Sequence, residues 1–349
     1  MKISLNFKPK QTVKKLLSAL QERSRDIIIK RYGLGKNPDR MTLDAIGKAY
    51  GITRERVRQI ENHAINTIRK SKSYSEEKLA FDEIEKIISA LGGIVVEQDL
   101  LDHVSKDPST QSCINFVLVV GHPFNKIKED EDFKYRWFID SNLAEKIHGS
   151  LKKLYENLKD DQLVVEQEMI KTFLGYIEGV SEQYRTEEIA KRWLNLSKRI
   201  SKNPLGEWGK TVSPNISIKG VRDYAYLVIR KHGSPIHFKE VAKAITATFN
   251  KKAHIATTHN ELIKDPRFVL VGRGLYALAE WGYMSGVVKD VIKKVLEKNG
   301  PLTKKEIVEK VMKERYVKEN TIVINLQNKK YFTKSKDGKY EIVKQPVKK

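Results

Sequence analysis

Four stretches of this chain repeat one pattern: "GGIVVEQDLLDHV" from Gly92, "DQLVVEQEMIKTF" from Asp161, "GSPIHFKEVAKAI" from Gly233 and "NGPLTKKEIVEKV" from Asn299. Each has a turn, a short apolar extended piece, then an acidic residue opening an amphipathic helix. Ile94, Leu163, Ile236 and Leu302 are equivalent, spaced by 69, 73 and 66 residues. A near-constant period implies one structural unit used four times. Longer helical patterns precede them at Leu79–Leu91, Ala144–Leu158, Val221–Lys231 and Val287–Lys298. Strand-like stretches follow: "FKYRWFID", "EWGKTVSPNISI", "RFVLVGRGLYAL" and "KYFTKSKDGKYEIV", the last with a strong Asp337-Gly338 hairpin signal. Helix, strand, helix, helix, hairpin is a winged-helix plan. The expected fold is mainly α with small β-wings, an N-terminal helix-turn-helix followed by about four tandem winged-helix units. The expected domains are 1–72, 73–140, 141–219, 220–284 and 285–349.

Charge divides along the same lines. The formal net charge is +22. Residues 1–72 hold 18 Lys and Arg against 6 Asp and Glu, and residues 285–349 hold 18 against 8, so the middle sums to zero. Basic ends attract a polyanion, and counterion release makes such binding salt-sensitive. Residues 73–140 sum to −7, which suggests a protein-docking surface beside the basic N-terminal unit. A solvated loop, "KEDEDFK", is the plainer account.

The N-terminal basic region contains "LDAIGKAYGITRERVRQIENHAINTIRK", Leu43–Lys70. Thr42 is the N-cap of a first helix, and Leu43, Ile46 and Ala49 or Tyr50 recur at helical spacing. Gly51 supplies the turn, and Thr53 caps a second helix with a stripe of Val57, Ile60, Ala64 and Ile68. Arg54, Glu55, Arg58 and Gln59 fall in its first two turns, off the stripe. These types suit base edges: Arg to guanine, Gln to adenine, Glu to cytosine. Thr42, Thr53, Arg56, His63, Arg69 and Lys70 are expected at phosphate or at the surface of a protein partner. In the last unit Lys304, Lys305, Lys334 and Lys336, with Lys329, Lys330 and Lys339, are expected at phosphates.

Arg23–Lys70 resembles region four of primary bacterial sigma factors, with "GITRERVRQIE" as the recognition helix. The resemblance covers about residues 15–72. It implies reading of a promoter −35 element, with the base-reading positions on Arg54, Glu55, Arg58 and Gln59. It also implies that "RDIIIKRYGL" faces the flap of RNA polymerase. In the family this module ends the chain; here it opens the sequence, and no aromatic-rich melting helix follows. A stand-alone initiation factor is therefore not expected. Residues 221–281 resemble the HARE-HTH winged helix, found in the delta subunit of RNA polymerase. Delta's acidic tail has no counterpart in the basic "VKQPVKK" here.

Other signals argue against enzyme chemistry. The eight histidines show no helical metal-pair spacing, and the single cysteine, Cys113, sits in the apolar run "SCINFVLVV". "GRG" at Gly272–Gly274 suits a hairpin, and "DEDF" lacks a partner motif. The four tryptophans are expected in cores. The N-terminus lacks a signal-peptide core, and no apolar run reaches the roughly 20 residues of a membrane span. The expectation is a bacterial, cytoplasmic, nucleoid-associated transcription factor without cofactor or metal, binding double-stranded DNA and RNA polymerase; the sequence leaves its oligomeric state open. Two alternatives remain: a polymerase-binding competitor of sigma that does not read DNA, and a restriction or nucleoid-associated module.

Overall fold

The computed structural model describes residues 5–35, 38–284 and 286–343. The basic tail past Val343 and residues 1–4 lie outside them. The chain divides into two compact units: one runs to Lys202 and includes Gly206–Val212, and the other comprises Asn203–Leu205 and the chain from Ser213 onward. Mostly helical structure with small antiparallel sheets fills both.

The first unit opens with α1 (Pro9–Ser18), α2 (Glu22–Tyr32), α3 (Leu43–Tyr50), α4 (Arg54–Arg69) and the short α5 (Lys72–Glu76). The predicted helix at Leu79–Leu91 is α6 (Lys78–Ala90), followed by β1 (Ile94–Val96), α7 (Glu97–Val104), α8 (Pro108–Val120) and the hairpin β2 (Asn125–Ile127) and β3 (Arg136–Phe138). Next come α9 (Ser141–Asn157), α10 (Glu166–Gly175), α11 (Glu187–Leu194), β4 (Ile200–Lys202) and β5 (Trp208–Lys210).

The second unit holds α12 (Val221–His232), β6 (Ile236–His237), α13 (Phe238–Phe249), α14 (Ile255–Lys264), β7 (Phe268–Leu270) and β8 (Leu275–Leu278). It ends with α15 (Val288–Asn299), β9 (Leu302–Thr303), α16 (Lys304–Glu314), α17 (Glu319–Leu326), β10 (Phe332–Lys334) and β11 (Lys339–Ile342).

The order helix, strand, helix, helix, hairpin recurs as the sequence period requires. In three repeats the strand after the first helix pairs antiparallel with the last strand of the hairpin: β1 with β3, β6 with β8, β9 with β11. The second repeat departs. There the leading strand shrinks to one bridge, Val164 to Trp208, with both N–H···O bonds at 2.8 Å. Only β4 and β5 form a ladder.

One helix organises the first core. In α8, Cys113, Ile114, Phe116, Val117, Leu118 and Val120 are all buried, so apolar residues face every direction. Such a helix must be central, and α1, α2, α4, α6 and α7 pack around it. The N-terminal helices thus share one core with the first repeat, from Val13 to Trp137. Burial pushes the Cys113 thiol pKa up. Glu77, at the start of α6, fixes α1 by accepting from Thr12 Oγ1 and Lys15 Nζ, both at 2.6 Å.

The acidic loop has internal partners. Glu129 bonds Lys198 at 2.6 Å, Asp130 bonds Arg136 at 3.0 Å and Asp132 bonds Arg199 at 2.7 Å. Three of the loop's four carboxylates are thus engaged within the unit, and Glu131 is exposed. Trp137, Trp193 and Trp208 are buried, as core packing requires.

Candidate nucleic-acid interface

The site is built on α3 and α4. Thr42 caps α3 by accepting from Ala45 N at 3.1 Å, and Thr53 caps α4 by accepting from Arg56 N at 3.1 Å. Each hydroxyl oxygen is thereby used as an acceptor, and each hydroxyl proton is left to donate. Between the helices Gly51 takes φ +64°, a left-handed conformation natural to glycine. The amide of Ile52 returns to Gly47 O at 3.0 Å. Gly47 serves this turn in a way the sequence reading missed: a Cβ there would lie 2.7 Å from Ile52 O.

Ile27, Ile46 and Val57, all fully buried, lock α2, α3 and α4 together. The buried stripe of α4 is Val57, Glu61, Ala64 and Ile68. Ile60, expected in that stripe, is half-buried against the small cluster, and a carboxylate takes the inward place. Glu61 accepts from Tyr32 Oη at 2.7 Å and lies 3.4 Å from Arg31 Nε. Burial and the Glu61 charge raise the Tyr32 pKa, so the phenol stays protonated and remains the donor. The signal was the i, i+4 step from Val57 to Glu61, masked by Glu61's polarity.

Arg54, Glu55, Arg58 and Gln59 all sit exposed on the first two turns of α4. Arg58 pairs with Glu55, and Gln59 with the neighbouring Arg56. Arg58 Nε and Nη2 donate to Glu55 Oε2 and Oε1 at 2.8 and 2.7 Å, and Arg56 Nη1 donates to Gln59 Oε1 at 3.0 Å. Arg58's hydrogen bonds hold the Glu55 carboxyl below its usual pKa range, and Glu55 raises that of Arg58. These pairs lie in solvent and are weakly held, so they can be exchanged for other partners.

His63 and Lys70 are exposed further along α4. Arg69, expected at phosphate or polymerase, is turned inward. Its Nε and Nη2 donate to Val120 O at 2.9 Å and Val119 O at 3.0 Å, capping the end of α8. Lys304, Lys305, Lys334 and Lys336 are exposed in the second unit, on α16 and at the last hairpin. α2, expected to face a polymerase flap, buries Ile27 and Ile28, and its Ile29 and Tyr32 pack against the core around α8.

Two helices about a tight left-handed turn, the second with an exposed polar first face, define a helix-turn-helix. Residues 16–70 match the family described as Sigma-70, region 4, and form such a domain. Over this stretch the chain is 47% identical across 57 residues to the RNA polymerase sigma factor RpoS of Coxiella burnetii. It is 46% identical across 55 residues to the principal sigma factor HrdD of Streptomyces viridifaciens, and 43% identical across 60 residues to RpoD of Helicobacter pylori. These alignments cover 16 to 17% of the chain, 16% of RpoS and of HrdD, and 9% of RpoD. Among the described residues no helix is long and apolar enough to cross a membrane.

Proposed function

We propose that this chain is a sequence-specific DNA-binding transcription factor that reads a −35-type promoter element and associates with RNA polymerase. The observation that carries the reading is the division of α4. Val57, Glu61, Ala64 and Ile68 anchor it, while Arg54, Glu55, Arg58 and Gln59 stand in solvent on the turns that enter a major groove. Arg54 and Arg58 pair with guanine, Gln59 with adenine and Glu55 with cytosine. Thr42, Thr53, Arg56, His63 and Lys70 hold phosphates, and the lysines of the last repeat add contacts without sequence information.

The relatives named above are described as RNA polymerase sigma factors, which supports polymerase as the partner. A polymerase competitor that does not read DNA is less favoured, because the first two turns of α4 keep Arg54, Glu55, Arg58 and Gln59 exposed as a polar face suited to base edges. The four repeats are read as winged-helix units, with residues 221–281 as the HARE-HTH-like one. The strand order shared by the first, third and fourth repeats supports this. The protein carries out no catalysis in this reading and works in the bacterial cytoplasm on the nucleoid.

Selection of bound duplexes from a random pool at moderate salt tests the proposal. A site resembling TTGACA is expected, and Arg58→Ala should remove preference at one position, worth about 1–3 kcal/mol. A uniform loss across all sequences would overturn it.

A further inference from the structure

Enclosed guanidinium groups in this chain are paired with carboxylates, with one exception. Arg136 bonds Asp130 at 3.0 Å, and Arg267 bonds Asp223 and Asp265 at 2.8 and 2.7 Å. Arg315 is 5% exposed, and no described carboxylate pairs with it. Its Nη2 donates to Gly286 O, while its Nε is buried without a hydrogen-bond partner. Asp290 and Glu314 act on it only from a distance, and Asp290 is already engaged by the Val287 amide at 3.0 Å. Burial accordingly pulls the Arg315 pKa below its usual value. A buried charge in this position is costly unless something of opposite sign joins it.

Arg315 lines a cleft of about 520 Å³ between the third and fourth repeats, a volume suited to a small molecule. One wall is the turn from β7 to β8, with Leu270 and Arg273. The other is Val287 at the head of α15, with Tyr316 and Lys318 between α16 and α17. The Tyr316 amide donates to Val271 O at 2.7 Å and ties the two walls together. Leu270, Val287 and Tyr316 are large apolar side chains left exposed there. The described lining residues include three cations, Arg273, Arg315 and Lys318, and no carboxylate. Lys318 is also the N-cap of α17 and supplies no capping side chain, so the positive end of that helix lies at the cleft. Glu319, exposed in the same turn, is not part of the lining. Apolar walls around a fork of unmatched positive charge fit one kind of occupant: an apolar body with an acidic head.

We infer that this cleft binds a small amphipathic carboxylate, its head held by Arg315, Arg273 and Lys318 and its body against Leu270, Val287 and Tyr316. The site is independent of base reading by α4 and needs no nucleic acid. The test titrates the full chain with phenylbutyrate, and with phenylbutanol as the uncharged control, by calorimetry at low salt. One phenylbutyrate per chain should bind, about tenfold or more tighter than the alcohol, as a hydrogen-bonded charged head requires. Arg273→Ala combined with Lys318→Ala changes only exposed side chains and should cut that preference severalfold. Val287→Glu, which sets a carboxylate in the cleft, should abolish it. Arg315→Gln should also abolish it, with urea unfolding as the check on its fold; the exposed substitutions decide the matter if that variant is unstable. Arg58→Ala should bind phenylbutyrate as the unaltered chain does, so this inference and the DNA reading fail separately. Equal affinity for acid and alcohol overturns the inference, as does binding of neither. A preference untouched by the exposed substitutions also overturns it. Binding of an acidic peptide but not of phenylbutyrate overturns it too and assigns the cleft to a protein partner.

Discussion

Arg58 grips Glu55 with two parallel hydrogen bonds, at 2.7 and 2.8 Å, one turn apart on the exposed face of α4. The pair presets the guanidinium plane but also occupies the atoms that would meet a base. Glu55 orients Arg58 in the chain as it stands, and in the proposed reading its carboxylate would disfavour plain phosphate clamping. Glu55→Ala should raise affinity for scrambled duplex while lowering the cognate-to-scrambled ratio by about 1–3 kcal/mol. Parallel anisotropy titrations of both duplexes check this. A fall in both affinities by the same factor would contradict it.

Arg69 does structural work. Its two hydrogen bonds to Val119 O and Val120 O close the end of α8, where carbonyls have no intrahelical partner. Arg69→Ala should cost about 1–3 kcal/mol of stability, read by urea unfolding. Lys should rescue little, because a single ammonium does not reproduce the guanidinium fork. If the variant keeps wild-type stability and loses only DNA affinity, the phosphate role expected from sequence is the correct one.

The contrast between Arg58 and Arg69 shows what was legible in the sequence. Periodicity and caps fixed the helices to within a few residues, because apolar spacing and Thr42, Thr53 and Gly51 act locally. The exposure of Arg54, Glu55, Arg58 and Gln59 follows from the same stripe by exclusion. What stayed hidden was set by distant packing. α8 reads as an apolar run, yet only the tertiary fold shows that it gathers α1, α2 and α4 and draws Arg69 inward. Glu61 does not read as a core position, because a carboxylate is rarely buried without a partner, and its partner Tyr32 lies 29 residues away. The second repeat's reduced strand was equally invisible, since one bridge leaves little pattern.

Stability should fall in mild acid because of His148. Arg136 is 3% exposed, and its Nε donates to His148 Nε2 at 2.8 Å, which requires a neutral imidazole. Burial, then the Arg136 charge, push the His148 pKa down to about 4. The folded value is depressed, so the unfolded chain binds the proton first. The contribution is full above the unfolded pKa near 6.5 and is lost as pH falls toward about 4. The loss should reach at most ~3 kcal/mol. Urea midpoints across this window should show the decline, and His148→Gln should flatten it. An NMR titration placing this imidazole near 6.5 would end the argument.

Two glycines flank the helix-turn-helix bend, and they should respond differently to alanine. Gly51 needs its left-handed φ of +64°, but nothing lies within 4 Å of a Cβ there. Gly51→Ala should therefore cost only the conformational penalty, about 1 kcal/mol, and leave the angle between α3 and α4 intact. Gly47 has ordinary helical backbone, where alanine would normally gain about 1 kcal/mol. Here its Cβ would sit 2.7 Å from Ile52 O, a backbone atom with little freedom to retreat. Relief requires α3 and α4 to part, at a cost of about 1–3 kcal/mol, and that movement would re-aim Arg54 and Arg58. Gly47→Ala should thus lower both stability and base discrimination, whereas Gly51→Ala lowers stability alone. Unfolding curves paired with cognate and scrambled titrations separate the two, and a stabilised Gly47→Ala variant would show that the close approach does not exist.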